Sequence, residues 1–232
     1  MARVRPGHRE TVASHVRSAI SLSYSRTLAL LRQQLGPWFD LEALWEKHTL
    51  YEFAERDMPK TMATMVAEPY VNHIPTLTGG IGHALLSRFY KAFHIDVDAQ
   101  YHFIPKSPED TELITMSRTV GADRVIDEMI FKCTHTTEID WLLPGVAPTG
   151  KPLQIPMVGI VAFRGDKLTF ECVLGPDYWD QASVLVQVGL LDRANLPIAG
   201  AEVADKVLDP FGVPSNTLMS RWAESEGLPI DK

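Results

Sequence analysis

The chain changes texture once, near Asp98, and that change limits the folds open to it. Up to about residue 93 the apolar residues recur at helical spacing; beyond Asp98 they alternate, or run in short stretches between turn residues. Within residues 11–35, Val12, Val16, Ala19, Ile20, Thr27, Leu30 and Leu31 keep i, i+3, i+4 spacing up to Gly36-Pro37, which predicts a helix stopping there. Leu41, Leu44, Trp45, His48 and Tyr51 or Glu52 mark the face of a second helix. Pro59 admits a short helix over 60–66, and another runs over 82–93. Residues 68–75 are rich in strand formers and closed by prolines, which predicts an edge strand. Segments 101–104, 112–120, 125–135, 153–163 and 167–173 read as strands, with turns at Gly121-Ala122-Asp123-Arg124 and Arg164-Gly165-Asp166. Helices followed by an antiparallel meander predict an α+β domain with its helices on one face of a curved sheet. Residues 1–191 would form that domain. Residues 192–232, Pro- and Gly-rich and helical only over 201–208, would extend it by wrapping the domain or a partner subunit.

Composition removes several classes of function. A chain of 232 residues, 45% of them hydrophobic, suits one well-buried domain with an appendage, or at most two small domains. A formal net charge of -7, with no run of Lys or Arg longer than a pair, argues against nucleic acid as a partner. No stretch reaches the roughly 18 apolar residues of a membrane span, and residues 1–10 lack the apolar core of a signal peptide. A cytoplasmic protein without a membrane partner is expected. Cys133 and Cys172 lie in strand-like apolar runs without metal-ligand spacing, so reduced core thiols are expected. The G-x-S-x-G elbow, the G-x-G-x-x-G and G-x-x-x-x-G-K-[ST] cradles and the H-E-x-x-H zinc pattern are all missing. A metal assembled from the scattered His73, His135 and Asp180 is the weaker option. Acid/base chemistry with no cofactor is what remains for an enzyme.

Three segments carry the candidate chemistry. Tyr178-Trp179-Asp180-Gln181 stands between the apolar run 157–173 and a helical segment marked by Ala182, Leu185, Val186, Gly189 and Leu190. Asp180 either caps that helix, accepting from the backbone N–H of Ser183, or faces a pocket whose aromatic rings desolvate it and raise its pKa. Along 125–135, Asp127, Met129, Phe131, Cys133 and His135 share one face, which suits an apolar pocket with a few polar groups; the opposite, also mixed face is the alternative. Asp140 and Trp141 follow, as a lip over the opening or a solvated loop. His73, next to Asn72 and between Val71 and Ile74, is desolvated unless something pairs with it. An imidazole beside a carboxylate can take a proton from a carbon acid and return it elsewhere; a satisfied structural histidine is the alternative. His15, His48, His83 and His94 are assigned to surface or core.

Two helices, the Pro-bounded Tyr70-Val71-Asn72-His73-Ile74-Pro75-Thr76 with Gly79-Gly80, another helix, and a meander closing in Tyr178-Trp179-Asp180-Gln181 together resemble the NTF2-like superfamily. Within it the chain is similar to the SnoaL-like group, over roughly residues 12–191. The resemblance implies an α+β cone, its N-terminal helices packed on a strongly curved antiparallel sheet around a hydrophobic pocket. It also implies the chemistry of polyketide cyclases, dehydratases, ketosteroid isomerases and epoxide hydrolases, which use Asp, His, Asn or Tyr without a cofactor, and a homodimer. The pocket acid would fall on Asp180 or Asp127, and the polar residue of the first strand on Asn72 or His73. Leu174-Gly175-Pro176-Asp177 departs from the pattern, interrupting what should be a nearly continuous strand.

The expected function is a cofactor-independent lyase or isomerase that cyclises, dehydrates or rearranges an apolar oxygenated molecule such as a polyketide or terpenoid intermediate. His73 would be its general base or acid, with Asp180 or Asp127 as partner. Asn72, Tyr178 and Gln181 would hydrogen-bond a developing oxyanion or enol, and Trp179 or Trp141 would pack on the substrate beside Met129, Phe131 and His135. A hydrolase of epoxides or lactones is the alternative if Arg118 points inward between two acids. A binding or assembly module is the other, if the pocket is plugged by its own Met and Phe side chains.

Overall fold

The computed structural model describes residues 14–55, 57–91, 95–97, 103–105, 107–169 and 176–228. Expectations on residues 11–13, 93–94, 101–102 and 170–173, Cys172 among them, lie outside these. Helix α1 (Ser14–Leu35) ends at Gly36, whose φ of 66° suits glycine. Asp40 and Asp57 then cap α2 (Leu41–Thr49) and α3 (Met58–Ala63), each accepting a backbone N–H at 3.0 Å, from Ala43 and Lys60. Between α2 and α3 the chain widens into a π-helical turn, Leu50–Ala54, in which the Glu55 N–H donates to the Leu50 carbonyl five residues back. α1 makes little use of the described part of its apolar stripe, in which Ile20, Leu30 and Leu31 stay exposed.

The sheet is built from β1 (Tyr70–His73), β2 (Thr78–Ile81), β5 (Glu112–Val120), β6 (Arg124–Thr134), β7 (Pro152–Arg164), β8 (Lys167–Leu168) and β9 (Pro176–Trp179). Its order is β2-β1-β9-β7-β6-β5, with β8 on β7, and it does not close. Helix α4 (Gly82–Phe89) follows β2, and β3 (Ile95–Val97) with β4 (Phe103–Pro105) forms a separate ribbon. A register shift between Thr115 and Ser117 bulges β5 against β6 and bends the sheet. Helices α5 (Gln181–Gln187) and α6 (Glu202–Leu208) lie along β7, and Ala204 of α6 is buried. Beyond Leu208 most side chains are exposed. Among the described residues no helix is long and apolar enough to cross a membrane. Cys133 is a free, buried thiol that burial pushes up to about 12.

This is the α+β arrangement of helices and curved sheet expected from the sequence, with two differences. β1 is interior rather than an edge, because the Gly79-Gly80 stretch is itself a strand. Gly79 has a φ of 126°, and a Cβ there would come within 2.1 Å of the Val71 carbonyl oxygen, so only glycine permits that pairing. The sheet is also not wholly antiparallel, since β9 runs parallel to β1 while pairing antiparallel with β7.

Candidate active site

One transverse row of the sheet organises the chemistry. β5 sets Arg118 opposite Asp127 of β6, and β6 sets Asp127 opposite Gly159 of β7. The register that pairs Met157 with Trp179 and Val158 with Tyr178 brings Gly159 beside Asp177 of β9. Asp177 in turn faces His73 of β1, and His73 faces Thr78 of β2. Side chains at one level of a sheet emerge on the same face, so this row delivers a guanidinium, two carboxylates, an imidazole and a hydroxyl side by side. Gly159 leaves the space in the middle. A Cβ there would lie 2.9 Å from Met129 Cε and 3.1 Å from the Asp177 carboxyl.

The row opens on a cavity of about 270 Å³. Its far wall comes from α2 and the π-helical turn, which contribute Trp45, Glu46, Thr49, Glu52 and Phe53, and from Tyr90 after α4. Phe131, Met129, Met157 and Trp141 supply much of the apolar surface. Trp141 is no lip: it is 6% exposed and packs edge-on against Phe131 and Trp179, at 5.4 and 5.6 Å between centroids.

His73 is buried and held by its neighbours. Its Nδ1 lies 2.9 Å from Thr78 Oγ1. The Thr78 hydroxyl donates to the Trp141 carbonyl at 3.0 Å, and Thr76 donates to the same oxygen at 2.8 Å. Thr78 Oγ1 also lies 3.0 Å from Thr76 Oγ1, and toward His73 Nδ1 it donates or accepts according to the tautomer of the ring. Nε2 points at the Asp177 carboxylate, 3.5 Å away, an ion-pair distance rather than a hydrogen bond. The Asp177 side chain keeps 41% of its surface, but that surface lines the cavity and remains poorly solvated. Burial, reinforced by the nearby charge of Glu52, raises its pKa from 3.8 to about 7. Glu52 sits against Tyr90 and, at 3.2 Å, His48 Nε2; His48 Nδ1 in turn meets the Thr64 hydroxyl at 2.6 Å. Burial holds the Tyr90 phenol well above its ordinary pKa, as a neutral hydroxyl.

The other acid of the row is tied down. Asp127 accepts from Arg118 Nε at 2.7 Å, from Arg118 Nη2 at 2.8 Å and from Trp45 Nε1 at 2.8 Å. Arg118 also reaches Glu46 at 3.2 Å and Glu42 at 3.5 Å, and its bond to Asp127 raises its pKa further. So Arg118 does point inward, as a clamp on acids.

Of the residues singled out in the sequence, His73, Asn72, Asp127, Met129, Phe131, Trp141 and Arg118 line the cavity. Asp180 does not. It is exposed and caps α5, accepting from the Ala182 N–H at 3.0 Å rather than from Ser183. Strand β9 starts at Pro176, and its period of two turns Asp177 and Trp179 inward and Tyr178 and Asp180 outward. Tyr178 is therefore exposed on the opposite face, while Trp179 is buried in the core next to His73. Gln181 donates to the Leu142 carbonyl at 2.9 Å and accepts from Trp179 Nε1, away from the cavity. His135 lies at the far end of the β6 stripe, fully buried, its Nδ1 beside Thr149 and its pKa lowered by burial. His73, His135 and Asp180 therefore do not converge on a metal site.

The sequence reading passed over Asp177, Glu52 and Tyr90. Asp177 was hidden by Gly175-Pro176, which reads as a linker although proline is tolerated as the first residue of a strand. Glu52 was one of two alternatives for a helical face, and the π-helical turn decides between them by rotating Glu52 and Phe53 together into the cavity. Only burial within the fold marks Tyr90.

No protein-family model matches the chain, and no curated protein does. Solved structures are similar to it in fold. A SnoaL-like protein from Shewanella putrefaciens CN-32 is 12% identical, covering 70% of this chain and 95% of its own, with a TM-score of 0.49. AclR from Streptomyces galilaeus is 19% identical, covering 71% and 95%, with a TM-score of 0.47. An NTF2-like protein of unknown function from Burkholderia pseudomallei K96243 is 14% identical, covering 66% and 99%, with a TM-score of 0.45.

Proposed function

We propose that the protein is a cofactor-independent acid/base enzyme, an isomerase or lyase that cyclises, dehydrates or rearranges a small, apolar, oxygenated molecule. The observation that carries this reading is the His73–Asp177 pair: two proton carriers on adjacent strands, 3.5 Å apart, opening on one apolar cavity. A carboxyl poised near pH 7 lies near the optimum for proton transfer at neutral pH, and the imidazole beside it can carry a second proton. Asp177 as carboxylate takes a proton from carbon next to a carbonyl. His73 relays a proton to a neighbouring atom of the same substrate. At about 270 Å³, just under the usual ~300–1,000 Å³ of small-molecule sites, the cavity suits one or two rings rather than an extended polycycle. It is open rather than plugged by its own Met and Phe side chains, which favours an enzyme over an assembly module.

The test uses an activated carbon acid that fits the cavity, nitrobenzisoxazole, whose base-catalysed ring opening is read by absorbance. Turnover by the full chain that rises with pH through about 7 and is lost in Asp177→Asn supports the reading. Turnover unchanged by that substitution removes it. Hydrolysis of an epoxide or lactone stands as a second reading because Arg118 does lie between two acids, Asp127 and Glu46. It predicts incorporation of labelled water oxygen into product, which an isomerase does not give.

A further inference from the structure

Between β1 and β2 the chain turns over residues 74–77, and Leu77 holds a left-handed φ of 55° with its side chain 84% exposed. A leucine gains no burial from that conformation, which a Cβ disfavours. What the conformation brings is a convergence of the residues on either side. The Thr76 and Thr78 hydroxyls lie 3.0 Å apart, although alternate residues of a flat strand stand about 7 Å apart, and both reach the Trp141 carbonyl, at 2.8 and 3.0 Å. That carbonyl is a fixed point. Its turn is closed by the Leu142 and Leu143 N–H groups, which both donate to the Ile139 carbonyl; the three side chains are buried, and Gln181 donates to the Leu142 carbonyl at 2.9 Å.

Thr78 carries this fixed point to His73, its hydroxyl 2.9 Å from Nδ1. The ring also packs among Phe89, Trp141 and Trp179, at 5.7, 5.3 and 6.0 Å between centroids. Apolar faces of that kind hold the plane of an imidazole without distinguishing its two edges. Turning the ring over about its Cβ–Cγ bond exchanges Nδ1 with Cδ2 and Nε2 with Cε1, with almost no change of shape. One orientation puts a nitrogen toward the Asp177 carboxylate, at 3.5 Å, and the same orientation sets Nδ1 against Thr78. The other presents a C–H to Asp177, which can carry no proton. We infer that Thr78, seated with Thr76 on the Trp141 carbonyl, is the positioning residue of His73: its hydroxyl selects the ring orientation that turns Nε2 rather than Cε1 toward Asp177. It does so whether it donates to Nδ1 or accepts from it. The choice of orientation needs no substrate; its effect on rate rests on the acid/base reading.

The experiment compares Thr78→Val, which keeps the shape of the side chain and loses the hydroxyl, with Thr78→Ser, which keeps the hydroxyl. In the full chain the His73 ring is followed by nitrogen-resolved NMR, its signals assigned by their loss in His73→Gln. The parent and Thr78→Ser should show one ring orientation in NOEs from the ring protons, and Thr78→Val two. Turnover is read with two carbon acids. Nitrobenzisoxazole needs one base; cyclohex-3-enone, on becoming the conjugated ketone, gives up a proton beside the carbonyl and takes one back at the far alkene carbon. Thr78→Val should lower kcat for cyclohex-3-enone about tenfold with KM unchanged and nitrobenzisoxazole spared, and Thr78→Ser should retain the parent rate. If Thr78→Val does not fold, Thr78→Ala takes its place, losing the hydroxyl without setting a methyl against the Trp141 carbonyl. A single, unchanged orientation in the folded hydroxyl-free variant, equal losses with both carbon acids, or the same loss in Thr78→Ser overturns the inference. Two orientations in that variant, with a parent that turns over neither carbon acid, would leave the positioning role standing and remove the acid/base reading. Turnover lost in Asp177→Asn, with an orientation unmoved by Thr78→Val, would do the reverse.

Discussion

Asp127 and Asp177 stand in the same row, on strands flanking β7, with Gly159 between them, and they line the same cavity. Their surroundings make them different reagents. Asp127 has both oxygens bonded, to Arg118 and Trp45, in a clamp that fixes it in place. Asp177 is desolvated by burial and meets the charge of Glu52, so its ionised form is disfavoured and its proton is labile near neutral pH. A carboxylate becomes a catalyst or a strut according to whether its partners stabilise its charge. In this row Asp127 has an arginine across its strand pair on β5, whereas Asp177 has burial and the charge of Glu52 against its ionised form.

The comparison breaks most visibly if the two acids are neutralised one at a time. Asp177→Asn should reduce turnover of nitrobenzisoxazole by roughly a thousandfold while leaving the fold intact, measured by stopped assay and circular dichroism. Asp127→Asn should do the opposite, lowering stability by about 2 kcal/mol in urea titration because Arg118, only 18% exposed, loses its charged partner, with a much smaller change in rate. Similar rate losses from both would erase the distinction. Next in size, His73→Gln should slow substrates that need a proton returned to a second atom by about a hundredfold. It should spare nitrobenzisoxazole, which needs only one base, better than Asp177→Asn does.

Parts of this row were legible in the sequence and parts were not, for physical reasons. Alternation along β6 correctly put Asp127, Met129 and Phe131 on one face, because an uninterrupted strand carries its own period. The isolated histidine of β1 was legible because a buried imidazole in an apolar strand is costly without a partner. Its partner was not. The parallel register of β9 on β1 joins residues about a hundred positions apart, and nothing local encodes it. Choosing Asp180 over Asp177 selected the wrong parity of a four-residue strand, and an odd offset in a period of two reverses the face. The α2 face left Tyr51 or Glu52 open at its C-terminal end alone, where five-residue hydrogen bonding replaces the 3.6-residue period and Glu52 is the one that reaches the cavity.

Asp177 should also leave a signature in stability. Its folded pKa, about 7, exceeds the 3.8 of a free side chain, so between those values the folded state holds a proton that the unfolded chain releases. The stabilisation from that proton is complete below about pH 4 and is lost as pH rises toward 7. Asp177→Asn removes this titration. The variant should melt a few degrees above the parent near pH 8 and with it near pH 4, in thermal scans followed by circular dichroism. A parent whose melting temperature tracks the variant at every pH would place Asp177 in an ordinary solvated environment and weaken its contrast with Asp127.

The smallest effect sharpens the comparison rather than breaking it. Glu52 contributes to the raised pKa of Asp177 through its charge, second to burial. Glu52→Gln keeps the shape and a hydrogen-bonding end toward Tyr90 and His48 but removes the charge. The pH at which nitrobenzisoxazole turnover reaches half its plateau should then fall below that of the parent, by less than one unit, since burial remains. The plateau rate should fall slightly as well, because a less basic carboxylate is a weaker base. The pair of signs is diagnostic. A downward shift with a modest rate loss means that Glu52 tunes Asp177 through space, whereas an unmoved midpoint means that the walls around Asp177 alone separate it from Asp127.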